Sequence, residues 1–154
     1  MTVQWLSTKN IDKLVEFEKK ARATEPDVFL GEFDAAEFTK ETLASLNNPQ
    51  FALAKCLMCM DANENAIGRL DFSLVASFAF GGDLRAYVDW VYVLKNHRHK
   101  GVARLMFAHV EKHLAALGVH EYFLITAENQ EAQRFYHGIP GAHIQSQGIL
   151  TKKC

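Results

Sequence analysis

The hydrophobic residues of this chain recur with two different periods. Apolar positions three and four residues apart indicate amphipathic helices, whereas short runs rich in aromatic and β-branched residues indicate strands. Asn, Asp and Gly residues mark where such segments begin and end. The pattern predicts four helices, at about 10–23 with Asn10 as the cap, at 34–46, at 102–117 before Gly118, and within 127–138 around Asn129. It predicts strands at 3–6, 51–60, 66–76, 86–93 and 121–126, and one or two short closing strands within 139–152.

The predicted order of elements, β-α-α-β-β-β-α-β-α-β, is typical of a mixed α/β (α+β) fold. The turn-forming segment DANEN separates the strands at 51–60 and 66–76, so these two should pair as an antiparallel hairpin. A β-α-β unit follows, built around the helix at 102–117. A chain of 154 residues has the usual size of one domain, and we expect residues 1–154 to form a single one.

The charge balance excludes some classes of partner. Lys and Arg number 17 against 18 Asp and Glu, a formal charge of -1, so no broad basic surface is available for nucleic acid or an anionic membrane. No apolar run reaches the roughly 18 to 20 residues that span a bilayer, and the start, MTVQWLSTKN, lacks the pattern of a secretory signal. We therefore expect a cytoplasmic protein with no nucleic-acid and no membrane partner.

Neither the Cys nor the His residues form a pattern typical of a metal site. Cys56 and Cys59 fall on a predicted strand, where residues three apart point to opposite faces and cannot easily share a metal or form a disulfide. His109 and His113 lie one helical turn apart, but Val110 stands where the H-E-x-x-H pattern requires Glu. We expect no metal.

The segment RHKGVA, residues 98–103, is the most informative part of the sequence. It follows the clearest strand, AYVDWVYV, and opens the helix at 102–117. The first N–H groups of a helix have no intrahelical partner and the helix dipole is positive there, so small residues such as Gly101 and Ala103 would let a phosphate approach. Taken alone, the hexapeptide is also compatible with an ordinary basic turn. Three side chains add positive charge that suits two adjoining phosphates: Arg98, Lys100 and Arg104.

Two familiar nucleotide-binding loops, G-x-x-x-x-G-K-[ST] and G-x-G-x-x-G, are absent, which disfavours nucleoside triphosphate hydrolysis. The segment instead resembles [Q/R]-x-x-G-x-[G/A], the acyl-CoA-binding pattern of the GNAT superfamily of N-acetyltransferases, and Arg98, Gly101 and Ala103 match its three fixed positions. A later segment is similar to a second pattern of the family, N-x-x-A-x-x-F-Y, at Asn129, Ala132, Phe135 and Tyr136. The predicted elements match the family over nearly the whole chain, and the sequence after Gly138 departs from it.

The resemblance implies a GNAT-like mixed, mostly antiparallel, twisted sheet with helices on both faces and a central β-α-β cofactor unit. It implies acetyl-CoA as co-substrate, from which an acetyl group passes by direct attack, in a ternary complex, to a primary amine of a small molecule. By the same analogy, the end of the central strand holds the pantetheine arm, and the N–H groups of the following turn hold the pyrophosphate. The implied cofactor-binding residues are Val91, Tyr92, Val93, Arg98, His99, Lys100, Gly101, Val102, Ala103, Arg104 and Asn129.

The amine must lose a proton before it attacks. With a pKa near 10.4, only about one molecule in a thousand is neutral at pH 7, a penalty of roughly 4 to 5 kcal/mol that a base and a desolvated pocket must offset. Asp89 is the first candidate for this base, because strand alternation puts it on the face of Val91 and Val93. Glu128, just past the next strand, is the second candidate. Either carboxylate could act through water, and Asp89 could instead orient a loop or bind a cationic substrate.

The family places a tyrosine at Tyr136 that donates a proton or a hydrogen bond to the departing CoA thiolate. The alternative is that Phe135 and Tyr136 only pack the short helix. Connections that often line the acceptor cleft in this family contain Phe29, Phe33, Phe78 and Phe80. The competing functions are a catalytically silent acyl-CoA-binding sensor and an interaction module. The sequence leaves open a homodimer and the acceptor, which could be a polyamine, an aminoglycoside or an amino-acid derivative.

Overall fold

The computed structural model describes residues 1–29, 31–76, 78, 81–146 and 151–152. Within these residues, five strands and four helices follow the predicted order as far as the last helix. Their bounds are β1 Thr2–Trp5, α1 Ile11–Thr24, α2 Ala35–Leu46, β2 Ala54–Met60, β3 Ala66–Ala76, β4 Leu84–Val93, α3 Val102–Ala116, β5 Tyr122–Leu124 and α4 Gln130–His137.

The strands form one sheet in the order β1-β2-β3-β4-β5. The first four strands pair antiparallel with their neighbours, whereas β5 pairs parallel with β4 after the crossover through α3. Asp61 closes the turn between β2 and β3, because its carboxylate accepts from the N–H groups of Asn63 at 2.8 Å and Asn65 at 2.9 Å. The predicted mixed sheet, the early hairpin and the late β-α-β unit are therefore confirmed.

Helices cover both faces of the sheet. Successive residues of a strand point to opposite faces. On β3, Arg69 donates to Glu18 of α1, while a Cβ added to the neighbouring Gly68 would lie 2.7 Å from Val102 of α3. Thus α1 packs on one face and α3 on the other. The core on the α1 face includes Leu14, Phe17, Ala21, Phe29, Met58, Met60, Tyr92 and Leu94.

The register between β3 and β4 shifts once. Asp71 pairs with Trp90 and the next residue of β3 pairs with Val88, so Asp89 is an extra residue of β4 with no partner on β3. Such a β-bulge bends a strand and is frequent next to active sites. Strict alternation does not hold across a bulge, so the argument that predicted which face carries Asp89 does not apply here.

Three local predictions differ from the structure. β2 begins at Ala54 rather than at 51, because Pro49–Phe51 form a 3-10 turn. Asn10 does occupy the position before α1, but its side chain accepts from Ser7 N–H and donates to the Trp5 carbonyl instead of capping the helix. Of the predicted closing strands, the described stretches 139–146 and 151–152 contain no strand, and the rest lies outside the described residues.

The chain divides into two compact units, residues 1–124 and 125–154. The first contains the sheet and α1 to α3, and the second contains α4. The single-domain expectation stays a prediction. Among the described residues, no helix combines the length and apolar character needed to cross a membrane.

Candidate active site

The segment singled out by the RHKGVA motif forms a tight turn between β4 and α3. Lys95–His97 make one 3-10 turn, and the chain then passes through two residues with left-handed backbone, His99 at φ 58° and Gly101 at φ 82°. A residue with a side chain seldom adopts this conformation, and the strain it carries concentrates at ligand-binding turns. The turn thus brings the backbone into α3 through a conformation that glycine favours at Gly101.

The N-terminus of α3 has backbone donors without acceptors in the helix. Gly101 precedes the helix and provides no side-chain cap, and the first intrahelical bond runs from Leu105 N–H to the Gly101 carbonyl at 2.9 Å. The N–H groups of Val102, Ala103 and Arg104 therefore have no intrahelical acceptor. A Cβ added to Gly101 would meet no atom within 4 Å outside its chain neighbours, so the position of the missing side chain is open. The residues present fit a diphosphate at this end of the helix.

The basic side chains of the turn have different roles. Lys100 is exposed and donates to a backbone carbonyl of the preceding 3-10 turn at 2.8 Å, and Arg104 is exposed on the first turn of α3. Arg98 instead binds Glu25, with Nη1 donating to Oε1 at 3.2 Å and Nη2 donating to Oε2. Its Nε donates to the Val93 carbonyl at 3.1 Å. Because Glu25 balances the charge of Arg98, the helix terminus, Lys100 and Arg104 remain to attract an anion.

Glu25 also accepts a hydrogen bond from the hydroxyl of Tyr92. Burial alone would raise the pKa of the Glu25 carboxyl, but the hydrogen bonds from Tyr92 and Arg98 and the charge of Arg98 hold that pKa below its usual value. Burial and the same carboxylate raise the pKa of Tyr92. The carboxylate is therefore ionised and the phenol is protonated at neutral pH.

The last residues of β4 offer backbone groups at an edge without a strand partner. β5 pairs with β4 only at its first half, so within the described sheet residues 91–93 pair on one side alone. The N–H of Leu94 donates to the Ile67 carbonyl of β3 at 3.0 Å. In an antiparallel ladder the backbone groups of successive residues face opposite edges of the strand, so those of Val91 and Val93 face away from β3. The backbone of Tyr92 faces β3 by the same alternation. Of the three residues expected along the pantetheine arm, Val91 and the N–H of Val93 are thus suited to it, whereas the Val93 carbonyl already accepts from Arg98.

Asp89 stands at the bulge of β4, and its side chain is exposed. Partial burial of the carboxyl and the charge of Asp71 raise its pKa above the usual value, against the effects of its own and the next backbone N–H and of Arg69. A carboxylate with a raised pKa accepts a proton more readily.

A partly buried ion network lies beside the bulge on the α1 face. Arg69 of β3 donates to Asp71 from Nε at 2.9 Å and to Glu18 from Nη1 at 2.7 Å, and Glu18 is only 2% exposed. Burial and the neighbouring Asp71 raise the pKa of the Cys56 thiol, so this cysteine is neutral. Since Asp71 contributes to the raised pKa of Asp89, the network sets the electrostatic environment of the bulge.

Aromatic residues connect the bulge to the segment after α1. The ring of Phe29 contacts Trp90 at 5.7 Å and Tyr92 at 5.2 Å between centroids. The indole N–H of Trp90 is buried and has no hydrogen-bond partner in the described part of the chain. Such a donor calls for a ligand or water. The other aromatic residues expected on the acceptor side are Phe33, which is half-buried, Phe78, which is exposed, and Phe80, which lies outside the described residues.

The second unit contains the later motif. Asn129 caps α4, its side chain accepting from Ala132 N–H at 2.9 Å, which explains the N-x-x-A spacing. Glu128 is exposed. Tyr136 is 7% exposed, and burial raises its pKa, partly offset by the backbone of Ala127. The phenol is consequently protonated at neutral pH, the state that a proton donor requires.

The two cysteines of β2 and two histidines of α3 have structural positions. Cys56 and Cys59 are free thiols on opposite faces of β2, as predicted. The rings of His109 and His113 pack against Trp5, with centroids 5.5 and 4.9 Å away. Among the described residues, no group of three or more His, Cys, Asp or Glu side chains could hold a metal ion.

The structure brings the predicted cofactor residues of the first unit together at the end of β4 and the start of α3, with Asp89 on the same strand. Two features were missed by sequence reasoning. Glu25 carries no motif, and no local signal points to it. The ion network had a visible signal, since Arg69 and Asp71 share one face of an otherwise apolar strand and Glu18 falls on the apolar side of α1.

Solved structures share this fold. The ribosomal-protein-alanine N-acetyltransferase of Brucella melitensis biovar Abortus 2308 matches with a TM-score of 0.73 at 15% identity, covering 99% of this chain and 100% of that one. The aminoglycoside acetyltransferase meta-AAC0020 from an uncultured soil metagenomic sample gives 0.78 at 15% identity, covering 99% and 96%. The aminoglycoside 6'-N-acetyltransferase AAC(6')-IG of Acinetobacter haemolyticus gives 0.71 at 18% identity, covering 100% and 99%.

At these identities the structural likeness establishes the fold alone, and no curated protein matches the sequence significantly. The profile of the acetyltransferase (GNAT) family matches residues 16–139, which include both motifs and the whole of β2 to α4. The protein therefore belongs to the GNAT family of acetyltransferases.

Proposed function

We propose that this protein transfers an acetyl group from acetyl-CoA to the primary amine of a cationic small molecule, by direct attack in a ternary complex. The family to which it belongs uses acetyl-CoA. This co-substrate supplies an activated thioester carbonyl, and the products are an amide and the CoA thiol. The residues of the chain have to bind the co-substrate, accept a proton from the amine and donate one to sulfur.

The open N-terminus of α3 is the observation that carries the proposal. Three N–H groups without intrahelical acceptors, the missing side chain at Gly101 and the exposed charge of Arg104 together suit a diphosphate. The edge of β4 at Val91 and Val93 suits an extended arm with amide groups, because such an arm can pair with backbone as an added strand does. Both features lie at the junction of β4 and α3.

Asp89 is the proposed proton acceptor. It stands at the bulge of β4, and burial and Asp71 raise its pKa, which makes the carboxylate a stronger base. Glu128 is the second candidate, supported by its position after β5 in the sequence. Tyr136 is the proposed donor to sulfur, supported by the N-x-x-A-x-x-F-Y motif and by its buried, protonated phenol.

The composition of the segment between α1 and α2 supports a cationic acceptor. This segment, residues 25–34, contains four carboxylates, of which Glu25 is paired with Arg98, and no Lys or Arg; in the family such connections often line the acceptor cleft. A negative segment attracts a polyamine or an aminoglycoside and repels an anionic acceptor. Two of the structural relatives are aminoglycoside acetyltransferases.

Thiol release from acetyl-CoA tests the proposal. The purified protein is assayed over a panel of polyamines, aminoglycosides, amino-acid amides and an alanine-terminated peptide, with binding of CoA measured by calorimetry. We expect turnover with at least one cationic small amine. Binding without turnover over the panel would favour the silent sensor, and the absence of binding would favour the interaction module; either result contradicts the proposed enzyme.

The variant Tyr136→Phe tests the donor. Loss of the hydroxyl should lower turnover by about 10² to 10⁴ while leaving CoA affinity nearly unchanged, since general acid catalysis contributes on that scale. Tyr122→Phe is the matched control, because the Tyr122 hydroxyl donates to Glu111 on α3 and has no proposed role in the reaction. Equal turnover of the two variants across pH would remove Tyr136 from the mechanism.

A further inference from the structure

Glu25, Tyr92 and Arg98 form a cluster, the Glu25 cluster, that joins three parts of the first unit. Glu25 directly follows the last residue of α1, Tyr92 belongs to β4, and Arg98 opens the turn before α3. The Glu25 carboxylate accepts from both Nη atoms of Arg98 and from the Tyr92 hydroxyl. The Arg98 guanidinium also lies 5.3 Å from the centre of the Tyr92 ring. Glu25 and Arg98 side chains are 20% and 21% exposed, so solvent screens this ion pair only in part.

The segment that follows Glu25 is folded onto β4. The N–H of Glu25 donates to the Ala21 carbonyl at 3.0 Å and ends the helix, and the Val28 N–H returns to the Glu25 carbonyl at 3.1 Å. Phe29 then places its ring against Tyr92 and Trp90, next to the bulge. Residues 25–29 are thus attached to β4 at both ends, through the Glu25 carboxylate and through the Phe29 ring.

The other side of the cluster is the turn whose backbone is proposed to bind the diphosphate. Arg98 is the first fixed residue of the motif, yet its guanidinium is engaged by Glu25 and by the Val93 carbonyl. A rigid arrangement of the guanidinium limits the backbone conformations that the next residues can adopt. Arg98 directly precedes residues 99–104, so the Glu25 cluster adjoins the proposed diphosphate site.

We infer that Glu25 is a positioning residue that couples the turn at 98–104 to residues 25–29, the start of the segment between α1 and α2. Binding of CoA at the turn would then order both segments. The inference rests on the proposed function, since it takes residues 99–104 to be the diphosphate site. Coupling of this kind is reciprocal. If CoA increases the affinity of the protein for a ligand that orders residues 25–29, that ligand increases the affinity for CoA by the same factor. Glu25 touches neither reacting atom and acts through Arg98 and Tyr92.

Amide hydrogen exchange with CoA as the probe tests the inference on the full chain. In the parent protein, CoA should slow exchange by about threefold or more both at 99–104 and at 25–29, because ordering of one segment is passed to the other. In Glu25→Gln, which keeps the size of the side chain but removes its charge, the slowing at 99–104 should persist and that at 25–29 should disappear. CoA affinity of this variant should fall by about three- to tenfold.

Three further variants complete the test. Glu25→Asp retains the charge and should restore part of the slowing at 25–29. Tyr92→Phe removes one hydrogen bond while leaving the ion pair, and should reduce the slowing without abolishing it, which keeps the test decisive if Glu25→Gln does not fold. Glu41→Gln removes an exposed carboxylate of α2 and should behave as the parent.

The outcomes separate the coupling from the proposed function. Equal slowing at 25–29 in the parent and in Glu25→Gln overturns the inference, as does slowing at 99–104 alone in the parent. No slowing at 99–104 and no heat of CoA binding in the parent would overturn the cofactor assignment itself, and the coupling with it.

Discussion

Gly101→Ala separates the backbone requirement of the turn at 98–104 from the proposed role of this turn in CoA binding. Gly101 has φ +82°, where a Cβ is strained, and the same strain exists at Gly118, φ +72°, at the opposite end of α3. At neither glycine would a Cβ meet an atom within 4 Å. The two alanine variants should therefore cost the free protein a similar amount of folding free energy. They should differ only in CoA binding, because only the methyl group at position 101 would lie next to the proposed phosphate site.

The expected magnitudes follow from this geometry. A left-handed alanine costs about 1 to 2 kcal/mol, so both variants should lose about that much free energy of unfolding. Only at Gly101 does the methyl group stand beside the N–H groups of 102–104, where it would hold a phosphate away from them. Loss of one charge-assisted hydrogen bond, about 1.5 to 3 kcal/mol, weakens binding of CoA by about 10- to 150-fold.

Urea unfolding followed by circular dichroism measures the first quantity, and calorimetric titration with CoA measures the second. We expect similar unfolding free energies for Gly101→Ala and Gly118→Ala, with CoA affinity near the parent value only for Gly118→Ala. Equal CoA affinity of the two variants would refute the assignment of this turn as the diphosphate site. A large loss of affinity in both would show instead that strain at either end of α3 disturbs the site.

Three other predictions concern packing and pH. Gly68→Ala places a Cβ 2.7 Å from Val102 and should lower the free energy of unfolding by about 1 to 3 kcal/mol, with partial recovery on adding Val102→Ala; unchanged urea midpoints would contradict the close packing. The raised pKa of Asp89 predicts that kcat/KM declines on acidification with a midpoint above about 3.9, and Asp89→Asn should abolish that decline; if the variant retains it, Glu128 is the better candidate for the base. The lowered pKa of Glu25 stabilises the folded state above the carboxyl's unfolded pKa of about 4.3, and this contribution is lost as pH falls through the folded pKa. Glu25→Gln should therefore be less stable than the parent by about 1 to 3 kcal/mol at pH 7, and this difference should shrink as pH falls through the folded-state pKa of Glu25, as measured by urea unfolding; a pH-independent difference would contradict the ionised pairing.

Local signals were sufficient to predict most of the fold. The stop predicted at Gly118 agrees with the structure, where α3 ends at Ala116 and Leu117 is its C-cap. Asp34 caps α2 by accepting from two backbone N–H groups, which is typical of Asp at this position. The bulge at Asp89 could not be predicted in this way. AYVDWVYV continues as one strand through that residue, and the extra position arises only from the register with β3, which is a non-local property. Asn10 shows the same limit, because its side chain is used by the preceding loop.

The candidate site likewise has parts that local sequence signals predict and parts that only the tertiary fold determines. The turn at 98–104 could be recognised because the chemistry of a helix terminus resides in consecutive residues. Glu25 could not, since it lies 73 residues from Arg98 and its partner is set by the tertiary fold. Glu18 and Arg69 are an intermediate case: charges at apolar positions are visible in the sequence, but their pairing is not.

The absence of a side chain at Gly68 has a consequence beyond packing density. Val102, which rests over this glycine, is also the first residue of α3 and one of the three whose amides point toward the open end of the helix. The distance between α3 and the sheet is thus set by side-chain packing in the hydrophobic core. If this end of α3 binds CoA as proposed, substitutions in the core around β3 should change that affinity while every residue of the recognisable motif stays the same.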